Sequence, residues 1–524
     1  TQTLEAMLTF SKYMFNTVQI DALAGIGKYL ESYEGYGISY EDVHDAINEH
    51  DISSAKGKFY PTSHTAKNEK RSQFFKAGFD ILDKYVITAT LRRDGTDKFF
   101  PGNKYALFPS VSGAWKISNE NFLKSISWIN LLKLRASWGK TGQDNLGSSL
   151  YGSYAPNNFK VNFSDNSIIN IPYVSMGANY PDVSWQKTTM KNIGLDFYLL
   201  SDRISGSFDF FRNDITRLLG YASTSPLAIY ETRPVNGGHY YRRGWELMLD
   251  TKNIVGEFTW DTSLTFSKTN SFWKERLPNY DYQIYQKKEN EPMNAYYYYN
   301  VTDIINTDRS NMPESQKSLQ AEAQLPGCPI IEDKNKDGKI DENDIYMKDN
   351  SPAVYVGFGN TFTYKNFEFS FFMYGQFGIQ KYNIAYSAAQ AGPLAVDYPE
   401  NSNKFAYRLW NSQTNPNGSR PGLAIGKMGA LPGNAWVNTD MENASFMRMR
   451  NITLAYNLTG NLLGSLQRYV RNIKVYVDAQ NPFILTKFQG FDPEIYTGGG
   501  GASGGSRGEY PQTRTFSLGA NITF

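Results

Sequence analysis

Apolar and polar residues alternate with a period of two along most of this chain. In the last eleven residues Phe516, Leu518, Ala520, Ile522 and Phe524 share one face of an extended strand, and Thr515, Ser517, Gly519, Asn521 and Thr523 share the other. The same alternation places Leu132, Leu134, Ala136 and Trp138 opposite Lys133, Arg135 and Ser137. It places Ile193, Leu195, Phe197 and Leu199 opposite Asn192, Gly194, Asp196 and Tyr198, and Ile473, Val475, Val477 and Ala479 opposite Lys474, Asp478 and Gln480. The pattern predicts fifteen strands, at about 1–14, 17–32, 70–80, 84–93, 105–117, 130–138, 187–199, 204–215, 240–251, 255–269, 354–364, 366–377, 445–457, 471–481 and 512–524. The runs quoted are long enough to cross a bilayer as tilted strands, which takes about 9–11 residues.

The connections between these strands alternate in length. Tight turns at Phe15-Asn16, Ser201–Arg203, Asn253–Val255 and Lys365-Asn366 are followed by long polar links at 33–69, 139–186, 216–239, 270–353, 378–444 and 482–511. Two short-side links, 118–129 and 458–470, run longer, and the long-side link 94–104 is comparatively brief. Short turns on one side and long loops on the other are the asymmetry of a transmembrane barrel, whereas a soluble sandwich has no reason to collect its long loops at one end. The fold class is therefore all-β, a transmembrane antiparallel barrel. Phe516, Leu518, Ile522 and Phe524 form the lipid face of a terminal strand read by the insertion machinery. With the C-terminus on the periplasmic side the first strand runs downward. Closed single-chain barrels have even strand counts, so strands before Thr1 are expected.

Composition supports this reading without deciding it. Of 524 residues 15% are aromatic, with 37 Tyr, and Tyr and Phe favour both strands and the interfacial girdles of barrels. A mean hydropathy of −0.50 would argue against a helical membrane protein, but a barrel strand shows lipid only every second side chain. No uncharged apolar run approaches the 18 residues of a transmembrane helix. A net charge of +2 gives no reason to expect a nucleic-acid partner. Cys328, the single cysteine, cannot form an internal disulfide and reads as a structural bystander. Mixed-sign charges on the polar faces (Lys133, Arg135, Arg450, Lys474, Glu246, Asp250, Asp478) suit a water-filled or plugged lumen.

Two long links carry candidate chemistry. Asp333-Lys-Asn-Lys-Asp-Gly-Lys-Ile-Asp-Glu-Asn-Asp344 has the spacing of a calcium-binding loop. Asp333, Asn335, Asp337 and Asp344 would be direct ligands, Lys339 would offer its carbonyl, and Asp341 would bind directly or through water. Position 12 is Asp where Glu is usual, so its reach is one methylene shorter, and a polar turn without metal is the alternative. A structural Ca2+ would pin the long loop 270–353. Tyr296–Tyr299 could stack on sugar rings or serve packing, and Gly498–Gly505 predicts a flexible stretch. The histidines His44, His50, His64 and His239 are scattered, and no nucleophile elbow or zinc motif is present, so no catalytic site is expected.

Several segments in order bring a resemblance. Arg93-Asp-Gly-Thr-Asp-Lys-Phe-Phe100, Phe108-Pro-Ser-Val-Ser-Gly-Ala-Trp-Lys-Ile117 and Leu132-Lys-Leu-Arg-Ala-Ser-Trp-Gly-Lys-Thr-Gly142 come first. Asn192-Ile-Gly-Leu-Asp-Phe197, Gly244-Trp-Glu-Leu247, Phe446–Tyr456, Ala479–Phe483, Phe491-Asp-Pro-Glu494 and Tyr510–Phe516 follow. From about residue 70 to the end the chain resembles the SusC-like TonB-dependent transporters of the Bacteroidetes outer membrane. The resemblance implies that residues 1–524 are the C-terminal part of a 22-stranded barrel whose N-terminal plug and TonB-contacting segment are absent from this sequence. It also implies a SusD-like surface lipoprotein as a lid, and TonB-driven uptake of oligosaccharides or, in some members, peptides. A glycan is the expected cargo. A passive porin, a surface binding module and an outer-membrane hydrolase are the readings in other classes.

Overall fold

The computed structural model describes all residues except 16, 41–58, 147–149, 151–153, 163–167, 177–178, 225–231, 279–282, 287–288, 383–407, 423–430, 435, 490–491 and 495–511. Its main feature is one antiparallel sheet whose strands pair in chain order. The wall strands are β1 (Gln2–Met14), β2 (Val18–Tyr40), β3 (Phe59–Ile81), β4 (Tyr85–Thr96), β5 (Tyr105–Lys116), β6 (Ile129–Gln143), β7 (Gln186–Leu199) and β8 (Ile204–Ser223). They continue as β9 (Thr232–Ile254), β10 (Phe258–Glu275), β11 (Val354–Tyr364), β12 (Phe367–Phe377), β13 (Phe446–Thr459), β14 (Asn472–Gln480) and β15 (Thr515–Thr523). Fifteen strands were expected, and fifteen form the path. The path is open, with β1 and β15 at its two ends.

Register assigns the faces. Phe516, Leu518, Ala520 and Ile522 stand opposite Ala479, Val477, Val475 and Ile473, so the apolar residues of β15 and β14 share one face. The apolar rows continue around the sheet, for example Trp138–Lys191 above Ala136–Ile193 and Leu134–Leu195. Phe516, Leu518 and Phe524 are 73%, 78% and 79% exposed.

The polar face carries matched charges. Arg135 reaches Asp196 at 2.8 Å and Asp209 at 2.9 Å, and Lys133 lies 2.9 Å from Asp196. Gly194 lies between Arg135 and Asp209 in register. A Cβ there would stand 2.5 Å from Asp209 Oδ1 and 2.7 Å from an Arg135 nitrogen, so glycine is what lets this ion cluster close. Further along, Lys474 pairs with Glu368 at 3.0 Å.

The tight turns concentrate left-handed backbone, at Phe15, at Leu82 and Asp83, at Leu200 to Asp202 and at Lys365. Two links on this side are longer. In one of them Glu120 accepts hydrogen bonds from Lys84 Nζ at 2.7 Å, Tyr85 Oη at 2.6 Å and Trp115 Nε1 at 3.2 Å. The Lys84 ammonium, then the phenol and indole donors, pull its pKa down to about 2. A depressed carboxylate contributes its stability above the ordinary value near 4.5 and loses it as pH falls toward 2. Trp115 fluorescence is therefore expected to stay constant from pH 7 to 4 and to change only near pH 2, and Glu120→Gln should abolish that transition. A midpoint near 4.5 would contradict this clamp.

On the opposite side the strands run past the expected boundaries. β8 extends to Ser223 and β9 begins at Thr232, so hairpins stand above the lipid-facing rows. The 139–186 link contains its own hairpin, Tyr154–Asn162 with Ile168–Met176. The buried clusters lie in this layer. One joins Tyr299, Leu319, Ala323, Ile331, Ile340 and Ile345 to Leu431 of another loop, and a second joins Phe99, Phe108, Leu146, Leu150, Val183 and Trp185. Loops that bury side chains against one another form a folded outer layer, as long functional loops do.

Candidate site at the outer mouth

The segment 333–344 forms the tight loop its spacing predicts. Lys336 and Gly338 take positive φ, 61° and 88°. Asp333 accepts from Asp337 N at 3.2 Å and Gly338 N at 2.9 Å, so the first ligand candidate turns back over the loop. Asn335 and Asp337 hydrogen-bond each other at 3.0 Å, and Lys339 N donates to Asp337 at 3.1 Å. Asp344 is fully buried and accepts from Lys334 N at 2.9 Å, Asn335 N at 3.4 Å and Asp341 N at 2.8 Å. Asp341 caps the short 3-10 turn Glu342–Asp344 through Asn343 N and lies 3.5 Å from the Lys339 ammonium. Among the described residues no group of three His, Cys, Asp or Glu side chains converges closely enough to hold a metal in this arrangement. A carboxylate has about four lone-pair sites, so these N–H contacts leave capacity on Asp333, Asp337 and Asp344.

Three tyrosines of the run, Tyr297, Tyr298 and Tyr299, pack against neighbouring groups. Tyr299 is fully buried and donates to the carbonyl oxygens of Asp341 at 3.0 Å and Pro432 at 3.1 Å. Tyr297 donates to buried Glu291 at 2.7 Å, and both burial and that carboxylate push its phenol well above the usual range. Tyr298 stacks on Tyr346 at 5.9 Å. The rings hold the loop that carries 333–344 against its neighbour. Cys328 is buried in the adjoining cluster with Ile305 and Ile330, and burial raises its thiol to about 11.

Rings at the mouth of the polar face stand elsewhere. Tyr240 and Trp273 meet edge to face at 5.9 Å, the Arg276 guanidinium lies 5.1 Å from the Trp273 ring, and Arg276 pairs with buried Glu291. Tyr355 lies lower on the same face, opposite Ser267, and is 37% exposed. Sequence reasoning passed over Tyr240 and Trp273 because β9 and β10 were expected to end near them.

A second omission is Arg448. Arg450 was expected on the polar face, but a bulge between Phe372 and Met373 leaves Arg450 without a partner in the ladder and brings Arg448 opposite Tyr374. A bulge inserts one unpaired residue and so exchanges the faces beyond it. Arg448 is 3% exposed and forks onto Asp492 at 2.6 and 2.7 Å, while its Nε meets Glu494. Tyr374 donates to the same Glu494. This clamp ties the stretch after β14 to the wall. His44, His50, the Gly498–Gly505 run, Phe491 and Tyr510 lie outside the described residues. His239 lies 3.5 Å from Asp214 near the outer edge of the wall.

The chain matches the family model of the TonB-dependent receptor-like β-barrel over residues 8–292. It is 30% identical over 491 residues to the TonB-dependent receptor SusC of Bacteroides thetaiotaomicron, covering 88% of this chain and 44% of that protein. It is 27% identical over 542 residues to TonB-dependent receptor P3 of Formosa agariphila, covering 99% of this chain and 52% of that protein. The chain thus spans about half the length of these curated relatives. Among solved structures, the RagAB peptide transporter superposes with a TM-score of 0.76 at 20% identity, covering 100% of this chain and 55% of that one. At that identity the likeness concerns the fold.

Proposed function

Because the chain belongs to the TonB-dependent receptor β-barrel family, and so to the outer membrane of a Gram-negative bacterium, we propose that it forms most of the wall and outer mouth of a nutrient importer. The observation that carries this reading is the two-faced sheet, with an apolar exterior, ion pairs on the interior face and large buried loop clusters at the long-loop end. Residues 1–524 then act with preceding barrel strands and a plug that TonB pulls, beneath a SusD-like surface lipoprotein. No covalent chemistry is needed for this work. The interior must hold cargo and release it when the plug moves.

Oligosaccharide is the cargo this reading favours, supported by the lumenal rings Tyr240, Trp273 and Tyr355. Aromatic faces stack on sugar rings, and the neighbouring Arg242 and Arg276 offer donors to hydroxyls. A single ring contact of this kind is worth about 1 kcal/mol, so Trp273→Ala in the full-length transporter should weaken binding of a defined oligosaccharide roughly fivefold by titration calorimetry. The RagAB likeness favours peptides as the second reading. Binding of oligopeptides with no response to a panel of oligosaccharides would replace the cargo class. Uptake that persists after the proton gradient is collapsed would overturn the importer itself.

In the outer layer Asp333, Asn335, Asp337, Asp344, the Lys339 carbonyl and Asp341 would hold a structural calcium ion, which would supply a fixed cross-link between the two ends of the loop. The turn at Gly338 and the spare lone pairs of the three carboxylates support it.

A further inference from the structure

Lys133, Arg135, Arg448 and Lys474 on the polar face are matched by carboxylates, but a group on the exterior is not. Lys191, Arg212 and Arg243 stand directly opposite one another across β7, β8 and β9, on the face that carries Ile193, Phe210 and Trp245 one step lower. Lys140, one step above the Trp138 that faces Lys191, and Lys268, which faces Trp245, flank the row on β6 and β10. Like charges directly opposite on neighbouring strands repel. Asp214 pairs with Arg212 at 2.9 Å, and among the described residues no carboxylate lies within ion-pair distance of Lys140, Lys191, Arg243 or Lys268. Lys140, Lys191, Arg212 and Arg243 are exposed.

Aromatic rings position these charges. The Arg212 guanidinium lies 4.4 Å from the Tyr241 ring, that of Arg243 5.3 Å from the Phe272 ring, and Lys140 Nζ 5.7 Å from the Trp138 ring. Height along the wall is the second observation. Eight residues separate Lys191 from Leu199, and Arg212 from Ile204, at the tight turn. That is about 26 Å along a strand, or roughly 20 Å of height at a tilt near 40°. An apolar band is about 25 Å tall, so the row stands just below the upper edge of that band, from where long Lys and Arg side chains reach up to the headgroups on the long-loop side.

We propose that Lys140, Lys191, Arg212, Arg243 and Lys268 form a docking surface for the phosphate-bearing headgroup of an outer-leaflet glycolipid. The row is continuous with the lipid-facing wall, and a phosphate supplies the missing counter-charge. Arginine fits phosphate as a fork and lysine as a point charge. The surface rests on the outer-membrane assignment and is independent of cargo.

The test uses the full-length transporter in detergent, titrated with lipid A and with dephosphorylated lipid A and read by native mass spectrometry. The phosphorylated form should bind at least about tenfold more tightly at low salt, and the preference should shrink as salt is raised. Lys191→Gln with Arg243→Gln should abolish that preference, Arg243→Lys should keep most of it, and Lys252→Gln at the tight-turn end should leave it unchanged. Heat-shifted electrophoretic mobility reports whether each barrel is folded. Equal binding of the two lipids, an unchanged preference in the double variant, or inorganic phosphate binding as tightly as the lipid would each overturn the assignment.

Discussion

Replacing Arg448 with alanine is expected to cost about 3–5 kcal/mol, because it leaves two largely buried carboxylates of the stretch after β14 without their cation. The Arg448, Asp492 and Glu494 side chains are only 4%, 6% and 18% exposed, so solvent cannot replace the lost partner. Unfolding in denaturant of the full-length protein should shift by that amount, and amide exchange should rise first in 484–494. Arg448→Lys should fall between wild type and alanine, since an ammonium keeps the charge but cannot fork onto both acids. Substituting all three charges by apolar residues of similar volume should recover much of the loss, because the desolvation cost leaves with the charges. An alanine variant as stable as wild type would show that the clamp is ornamental.

The second large effect is expected at Asp344. Three backbone N–H groups, of Lys334, Asn335 and Asp341, donate to a carboxylate with no solvent exposure. Each buried donor left without an acceptor costs about 1–3 kcal/mol. Asp344→Ala should therefore release the cluster around Tyr299, Ile340 and Ile345, and proteolysis should open the outer layer with or without calcium. Asp333→Ala removes an acceptor from two exposed N–H groups only, and should leave the layer closed in chelator while abolishing the calcium heat in titration calorimetry. Absence of calcium heat in the wild-type protein would remove the metal and leave Asp344 a purely structural acceptor.

These two positions show why legibility differed along the chain. The wall was legible because lipid on one side and a wet interior on the other impose a strict period of two. Phe516 to Phe524, Ile473 to Ala479 and Ile193 to Leu199 carry that period with no partner needed to reveal it. Tight-turn positions largely followed from the strand ends, although the turn expected at Asn253–Val255 lies at 255–257 because β9 continues to Ile254 and β10 begins at Phe258. The calcium-type loop was legible as a spacing, since its ligands are local in the chain.

What the sequence by itself determined is the architecture: a two-faced wall, whose path has fifteen strands among the described residues, and its long loops at one end. Tertiary structure decided everything that depends on which strand lies beside which. The bulge opposite Phe372 and Met373 left Arg450 out of the ladder with β12 and turned Arg448 to the polar face, where the acids that meet it come from another stretch of chain. Tyr297 and Tyr299 became core because another loop closes over them. The exterior row Lys191–Arg212–Arg243 exists only in register, since its members lie 21 and 31 positions apart in the chain (212 − 191 and 243 − 212). Alternation is a property of one strand meeting two solvents, whereas a site is made by side chains whose separation is set by hydrogen bonds between strands.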